Sequence, residues 1–167
     1  GATSFVGKIL CQYMMDEYGV DGEVRWAAAA RSLSKLQELQ SSLGPKAEHL
    51  PLIVADAFDE KALTAMAAQT KVVISTVGPY ALYGEPLVKV CAESGTDYCD
   101  LSGEAQWVKV MADKYAAAAH NSGARIVHCC GFDSIPSDLG VYFLQQETKA
   151  RFGTHCSEIK MGVKAIK

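Results

Sequence analysis

The sequence predicts an α/β fold, a parallel sheet covered by helices, and three observations lead there. Segments with helical apolar spacing alternate five times with short apolar runs. The connections between them are short and carry Gly, Pro, Ser and Asp. The apolar runs are continuous rather than alternating, as strands buried on both faces require.

Each element has a local justification. Val6, Ile9, Leu10, Tyr13 and Met14 recur at helical spacing, so Phe5 to Tyr18 is a helix, ended by Gly19 and Gly22. Val24–Ala30 is the first apolar strand. Ser32 suits an N-cap for a helix over Leu33–Leu43, closed by Gly44-Pro45. Leu50–Ala55 is the next strand, followed by a helix over Asp59–Gln69 with Ala62, Leu63 and Met66 on one face. Lys71–Val77 is β-branched and compact, a strong strand signal, and Gly78-Pro79 breaks it. Glu85–Ser94 is a helix with Pro86 in its first turn, where a missing N–H costs little; Gly95 ends it. Thr96–Leu101 is a strand, Glu104–His120 an Ala-rich helix and Arg125–Cys130 a further strand. Ser137 or Asp138 is expected to cap a helix to Thr148, and 156–167 alternates like a half-exposed strand.

A doubly wound sheet needs a strand before the glycine turn at Gly1. The expectation is therefore a fold lacking its first strand: residues 1–150 a dinucleotide-binding domain, and 151–167 the start of a second domain. Such sheets bind ligands at the carboxyl ends of their strands.

Of the 167 residues 49% are apolar and 21% charged, with a net charge of −3. That composition suits a packed core, and without a basic stripe it argues against nucleic-acid binding. No apolar run approaches the ~18–20 residues of a membrane span, and no secretory signal is visible. Six cysteines and four histidines show no Cys-x-x-Cys pair and no zinc-finger spacing, so no metal site is expected. Reduced, buried thiols in a cytoplasmic protein are the expectation. Cys129 and Cys130, being adjacent, would point to opposite faces of a strand.

The opening Gly1-Ala2-Thr3-Ser4-Phe5-Val6-Gly7-Lys8 admits three readings. A P-loop fails, because five residues separate the glycines and Ile9 follows the Lys. A dinucleotide loop of Gly-x-x-Gly-x-x-Gly type fits, with Ser4 in the middle place. Gly1 would make the turn, Gly7 would let the helix pack on the sheet, and free N–H groups would face the pyrophosphate. Ser4 puts a Cβ where the backbone should approach phosphate, and its hydroxyl could donate to that phosphate in compensation. An ordinary turn with two unrelated glycines is the third reading.

About thirty residues on, the end of the second strand carries Arg31, Ser32 and Lys35, where NAD enzymes place an acidic residue. A guanidinium matches a phosphate, which favours NADP(H) over NAD; a solvated surface Arg is the alternative. Asp56 meets either an adenine amino group or the helix that follows, as its N-cap. Val77, Gly78, Pro79 and Tyr80 would border the nicotinamide ribose or its phosphate, with Tyr80 and Tyr83 at the pocket mouth or simply packed. Asp133 and Ser134 are substrate candidates; Asp133 could instead cap the turn and Asp138 the helix. None of the seven Tyr has a Lys four residues on, so the Tyr-x-x-x-Lys mechanism is out, as is a Gly-x-Ser-x-Gly elbow.

Val77-Gly78-Pro79-Tyr80, Tyr83-Gly84-Glu85-Pro86-Leu87-Val88, Gly95-Thr96-Asp97-Tyr98-x-Asp100-Leu101-Ser102-Gly103-Glu104 and Cys130-Gly131-Phe132-Asp133-Ser134-Ile135-Pro136-Ser137-Asp138 resemble the saccharopine dehydrogenase-like oxidoreductases, a family that includes trans-acting enoyl reductases. The resemblance spans nearly the whole chain. It implies a Rossmann-type NADP-binding domain at the amino end of a longer protein, followed by an α+β domain. The family's usual Gly-Ala-Thr-Gly-Phe-Thr-Gly departs here at Ser4 and Val6, and its Gly before the strand-two Arg is Ala30. The cofactor loop is expected to comprise Gly1, Ala2, Thr3, Ser4, Phe5 and Val6. An NADP(H)-dependent oxidoreductase acting on an enoyl, imine or carbonyl compound is the leading expectation. A non-catalytic NADP-binding sensor or scaffold is the alternative. A homodimer through the second domain is one arrangement the resemblance allows.

Overall fold

Local capping sets the helices first. In the computed structural model, which describes residues 1–164, α1 (Phe5–Tyr18) starts at Ser4, whose Oγ accepts the Gly7 N–H, and stops at Gly19 with φ 64°. Helix α2 (Leu33–Ser42) is capped by Ser32, and α3 (Glu60–Ala67) by Asp59, each accepting an N–H of the first turn. Helix α4 (Tyr80–Tyr83) is a single turn, and α5 (Glu85–Ser94) runs to Gly95 in the left-handed region. Helix α6 (Ala105–Ser122) ends at Gly123, and α7 (Ile135–Phe152) at Gly153.

The strands are β1 (Ala28–Ala30), β2 (Leu52–Val54), β3 (Val72–Ser75), β4 (Asp97–Asp100) and β5 (Ile126–Val127). All pair in parallel: β1 with β2 in one sheet, and β3-β4-β5 in another. Five short strands separated by helices are thus what the apolar runs foretold, and the architecture is the α/β arrangement expected.

Two apolar clusters bind the layers. Cys11 and Met15 of α1, Leu36 and Leu39 of α2, and Ala28 and Ala30 of β1 form one. Leu63 and Met66 of α3, Val88 and Cys91 of α5, Tyr98 of β4, and Trp107 and Met111 of α6 form the other. Ala29, Ile53 and Val73 pack against that second cluster from the sheet side. Helices therefore lie on both faces of the β1–β2 pair.

Several expectations need correction. Residues 24–27 are not strand: Val24 is exposed, and the Trp26 indole donates to Gly19 O, tying the segment to the end of α1. The strands are not all buried on both faces, since Val72, Ile74 and Val127 are about half exposed. The reason is geometric: α3, α5 and α6 pack on one face, while α7 contributes no buried residue. Helix α7 begins at Ile135 with Ser134 as N-cap, ahead of Ser137 and Asp138, and continues past Thr148. Its first turn takes Pro136 at a position that needs no N–H partner. Residues 156–164 form no strand, and 165–167 lie outside the described residues. All six thiols are free, but only Cys11 and Cys91 are buried; Cys129 and Cys130 lie beyond β5 in a loop, with Cys129 at φ 62°. Among the described residues no helix is long and apolar enough to cross a membrane, and no group of three or more His, Cys, Asp or Glu could hold a metal ion.

Leu36 is fully enclosed between α2 and β1. Leu36→Ala should cost about 3 kcal/mol, the usual range for a buried leucine. Urea unfolding of the full-length protein checks this, and a loss below about 1 kcal/mol would show that the cluster collapses around the gap.

Candidate functional site

Parallel pairing puts the ends of β3, β4 and β5 on one edge, together with the loops 76–79, 101–104 and 128–134. The loop before α1 is fastened to the same edge. Gly1 N and Ala2 N both donate to Ala29 O of β1, while Thr76 Oγ1, just past β3, donates to Gly1 O at 2.9 Å. The loop thus bridges the two sheets.

Both glycines are demanded by close approach. A Cβ on Gly1 would stand 2.4 Å from Thr76 Oγ1, and one on Gly7 2.2 Å from Gly1 O. Helix α1 therefore begins hard against the turn. The N–H groups of Phe5 and Val6, the first two of α1, precede the first helical bond, Lys8 N–H to Ser4 O. They are available to an anion at the positive end of the helix dipole. Ser4 differs from the sequence reading, in which its hydroxyl could donate to phosphate. Its Oγ accepts from Gly7 N at 3.0 Å and lies 3.2 Å from Thr76 Oγ1 and 3.4 Å from Thr76 O, so it caps α1 and faces β3.

Arg31 follows β1 directly and is exposed, with no ion pair among the described residues; Lys35 is one turn into α2 and also exposed. Ser32 Oγ accepts from Lys35 N and contacts Ser34 Oγ. Asp56, after β2, is not the cap of α3. Its Oδ1 accepts Phe58 N at 2.9 Å, an Asx turn, and Asp59 is the cap. Val77, Gly78 and Pro79 follow β3, with Gly78 and Pro79 exposed. A Cβ on Gly78 would meet only Tyr80 ring carbons at 3.6 Å or more, so the fold itself does not require glycine there.

Tyr80 is not at a mouth. It is 5% exposed, its hydroxyl donates to Ser75 O at 2.9 Å, and burial raises its pKa to about 12. Tyr83 stays half exposed, edge-to-face with Phe58 at 5.7 Å. Asp133 is exposed beyond β5, its Oδ2 3.3 Å from where a Cβ on Gly103 would be. Ser134 sits at the start of α7 without a side-chain cap bond.

Asp100, His128 and Glu104 also build this edge, and sequence reasoning gave them no role. Asp100, 1% exposed at the end of β4, accepts from Tyr98 Oη, Ser102 N and Cys129 N and lies 2.7 Å from His128 Nδ1. Burial pushes its pKa up, but the bonds from His128, Ser102 and Cys129 outweigh that and hold it below the usual carboxylate range. Asp100 is therefore ionised, and His128 Nδ1 is the donor. The His128 ring is wedged edge-to-face against Tyr98 and Trp107. Glu104 accepts Tyr80 N at 2.7 Å and Ala81 N at 2.8 Å, closing the start of α4. A signal for Asp100 existed: alternation along β4 puts an acidic residue on the core face beside Tyr98, and such a residue needs partners.

A separate open recess lies at the opposite, amino edge, lined by Lys71, Ser94, Thr96, Asp97 and Arg125. Its Arg125 is paired with Asp97, and it lies away from the glycine turn.

Residues 1–127 match a family model described as the saccharopine dehydrogenase NADP binding domain. The chain is 48% identical over 144 residues to a putative trans-acting enoyl reductase of Mycobacterium tuberculosis, covering 86% of this chain and 34% of that protein. It is 45% identical over 157 residues to a trans-acting enoyl reductase of Mycobacterium leprae, covering 93% of this chain and 37% of that protein. The chain thus spans about a third of the length of the curated relatives it matches. Among solved structures, an apo saccharopine dehydrogenase (L-Glu forming) from Saccharomyces cerevisiae superposes with a TM-score of 0.60 at 21% identity, covering 84% of this chain and 29% of that one, a likeness of fold.

The Asp100 cluster has a pH signature. Its folded pKa lies below the unfolded value of about 3.9, so its stabilisation is complete above that pH and is lost as pH falls through it towards the folded value. Asp100→Asn should cost about 3 kcal/mol at pH 7. The gap between wild type and variant should narrow in acid; an equal gap at both pH values, by urea unfolding, would contradict this.

Proposed function

The chain belongs to the saccharopine dehydrogenase family through its NADP-binding domain, and from that premise we propose that the full-length protein is an NADP(H)-dependent oxidoreductase. The observation that carries the reading is the glycine turn. Gly1 and Gly7 leave no room for a Cβ, and the N–H groups of Phe5 and Val6 point the start of α1 at the carboxyl edge of both sheets. The cofactor fits this cradle. Gly1, Ala2, Thr3, Ser4, Phe5 and Val6 would hold its diphosphate. Arg31, with Ser32 and Lys35, would hold the 2′-phosphate, and the free oxygen of Asp56 would meet the adenine amino group. Val77, Gly78 and Pro79, with the backbone of Tyr80, would border the nicotinamide ribose.

NADP(H) supplies hydride chemistry when bound; the protein supplies orientation and a dry pocket. An enoyl, imine or carbonyl compound fits that chemistry, and the relatives named trans-acting enoyl reductase favour the enoyl. Tyr83, Asp133 and Ser134 would border the remaining edge and touch this substrate. The protein would work in the cytoplasm.

Among the described residues, strands β1 and β3 each keep one edge without a strand neighbour. A further strand between them would unite both sheets. Residues 1–150 would then be the dinucleotide-binding domain, and 151–167 would lead into a second α+β domain that selects the substrate. A homodimer would form through that second domain.

A non-catalytic NADP-binding sensor is the second reading. It is favoured by the two buried tyrosines behind the edge: the Tyr80 and Tyr98 hydroxyls are both bonded internally, so neither is a proton donor. Turnover decides between the two. Full-length protein should oxidise NADPH in the presence of some member of an enoyl, imine and carbonyl panel; tight binding with no turnover would favour the sensor. Cofactor choice is a separate expectation. Arg31→Ala should weaken NADPH binding roughly tenfold, as loss of a charge-assisted bond does, and leave NADH nearly unchanged. Equal weakening of both, by fluorescence titration, would remove the 2′-phosphate assignment.

A further inference from the structure

Thr76 bonds to both Gly1 and Ser4 of the glycine turn. It follows β3, is half buried, and comes from an element far from α1 in sequence. Its Oγ1 donates to Gly1 O at 2.9 Å. Ser4 Oγ lies 3.2 Å from the same oxygen and 3.4 Å from Thr76 O, while accepting Gly7 N at 3.0 Å. The bonds run in one direction: Gly7 N–H to Ser4 Oγ, Ser4 O–H to Thr76, and Thr76 O–H to Gly1 O. The relay joins the first and last glycines of the turn through β3, and each hydroxyl in it both donates and accepts.

The glycine at position 1 belongs to the same device. Its Cβ would stand 2.4 Å from Thr76 Oγ1, so the turn is packed onto this hydroxyl and not merely near it. Thr76 holds the turn from the β3 side, as Ala29 O holds it from the β1 side. A turn held on one side can swing, and its N–H groups would then no longer converge on one point.

We propose that Thr76 is a positioning residue for the cofactor diphosphate, acting through the relay Thr76–Ser4–Gly7 to fix the free N–H groups at the start of α1. The proposal rests on the NADP reading of the turn. It explains how Ser4 is accommodated in the middle of the turn: its hydroxyl is bonded to Thr76, just past β3.

The test is fluorescence titration of the full-length protein with NADPH and with NADH, alongside melting of the cofactor-free protein. Thr76→Val keeps the shape and deletes the donor. It should weaken both nucleotides by the same factor, roughly tenfold, since both share the diphosphate. Thr76→Ser, which keeps the hydroxyl, should stay within about threefold of wild type. Ser4→Ala should weaken binding as Thr76→Val does, and the double variant should be little worse than either, because one relay is cut twice. Simple support of the fold would instead lower the melting temperature and leave the affinity of the folded protein unchanged. Undiminished binding by Thr76→Val and Ser4→Ala, or strictly additive losses, overturns the proposal and leaves the NADP reading standing. A wild-type protein that binds neither nucleotide overturns both.

Discussion

Backbone packed against a threonine hydroxyl ties the glycine turn to the ends of β1 and β3. Among the described residues the β1–β2 pair and the β3–β4–β5 sheet share no strand ladder, yet Gly1 touches both: Ala29 O on one side and Thr76 on the other. Only a residue without a Cβ can lie there. From that contact the direction of α1 follows, and with it the direction of the helix dipole. The placement of Arg31 relative to the turn also follows, because β1 carries both Ala29 and the residues leading to Arg31.

The rest of the edge is built by two carboxylates with opposite surroundings. Asp100 is enclosed and collects donors from β4 and from the loops after β4 and β5, so the segments 101–104 and 128–131 are clamped together. Cys129 is held at positive φ within this clamp, where its N–H reaches Asp100. Glu104 lies nearer the surface and satisfies the first N–H groups of α4. Together they give the loops after β3, β4 and β5 fixed shapes before any ligand arrives, which lowers the ordering cost of binding.

Legibility differed by the kind of interaction. The glycine turn, the place of Arg31 just after β1 and the strand-end loops were readable because residue type and spacing fix where they fall. Thr76 was not, because a threonine ending a β-branched run looks like strand propensity. His128 gave no signal by itself; its role comes from lying beside Asp100 once β5 pairs with β4. Tyr80 misled in the other direction: an aromatic after Gly-Pro reads as a pocket rim, yet its ring packs on Trp107 at 5.5 Å.

Helix limits are a property of the sequence here. The 5–18 and 85–94 helices sit where spacing, Ser4, Pro86, Gly19 and Gly95 put them, since helical bonds and caps close within a few residues of chain. Strand lengths, the exposed faces of β3 and β5, the start of α7 and the Asp100–His128 pair belong to the tertiary structure. A strand exists only as far as a neighbour pairs with it, and a buried charge is stable only where distant segments bring donors to it; neither partner can be read from adjacent residues.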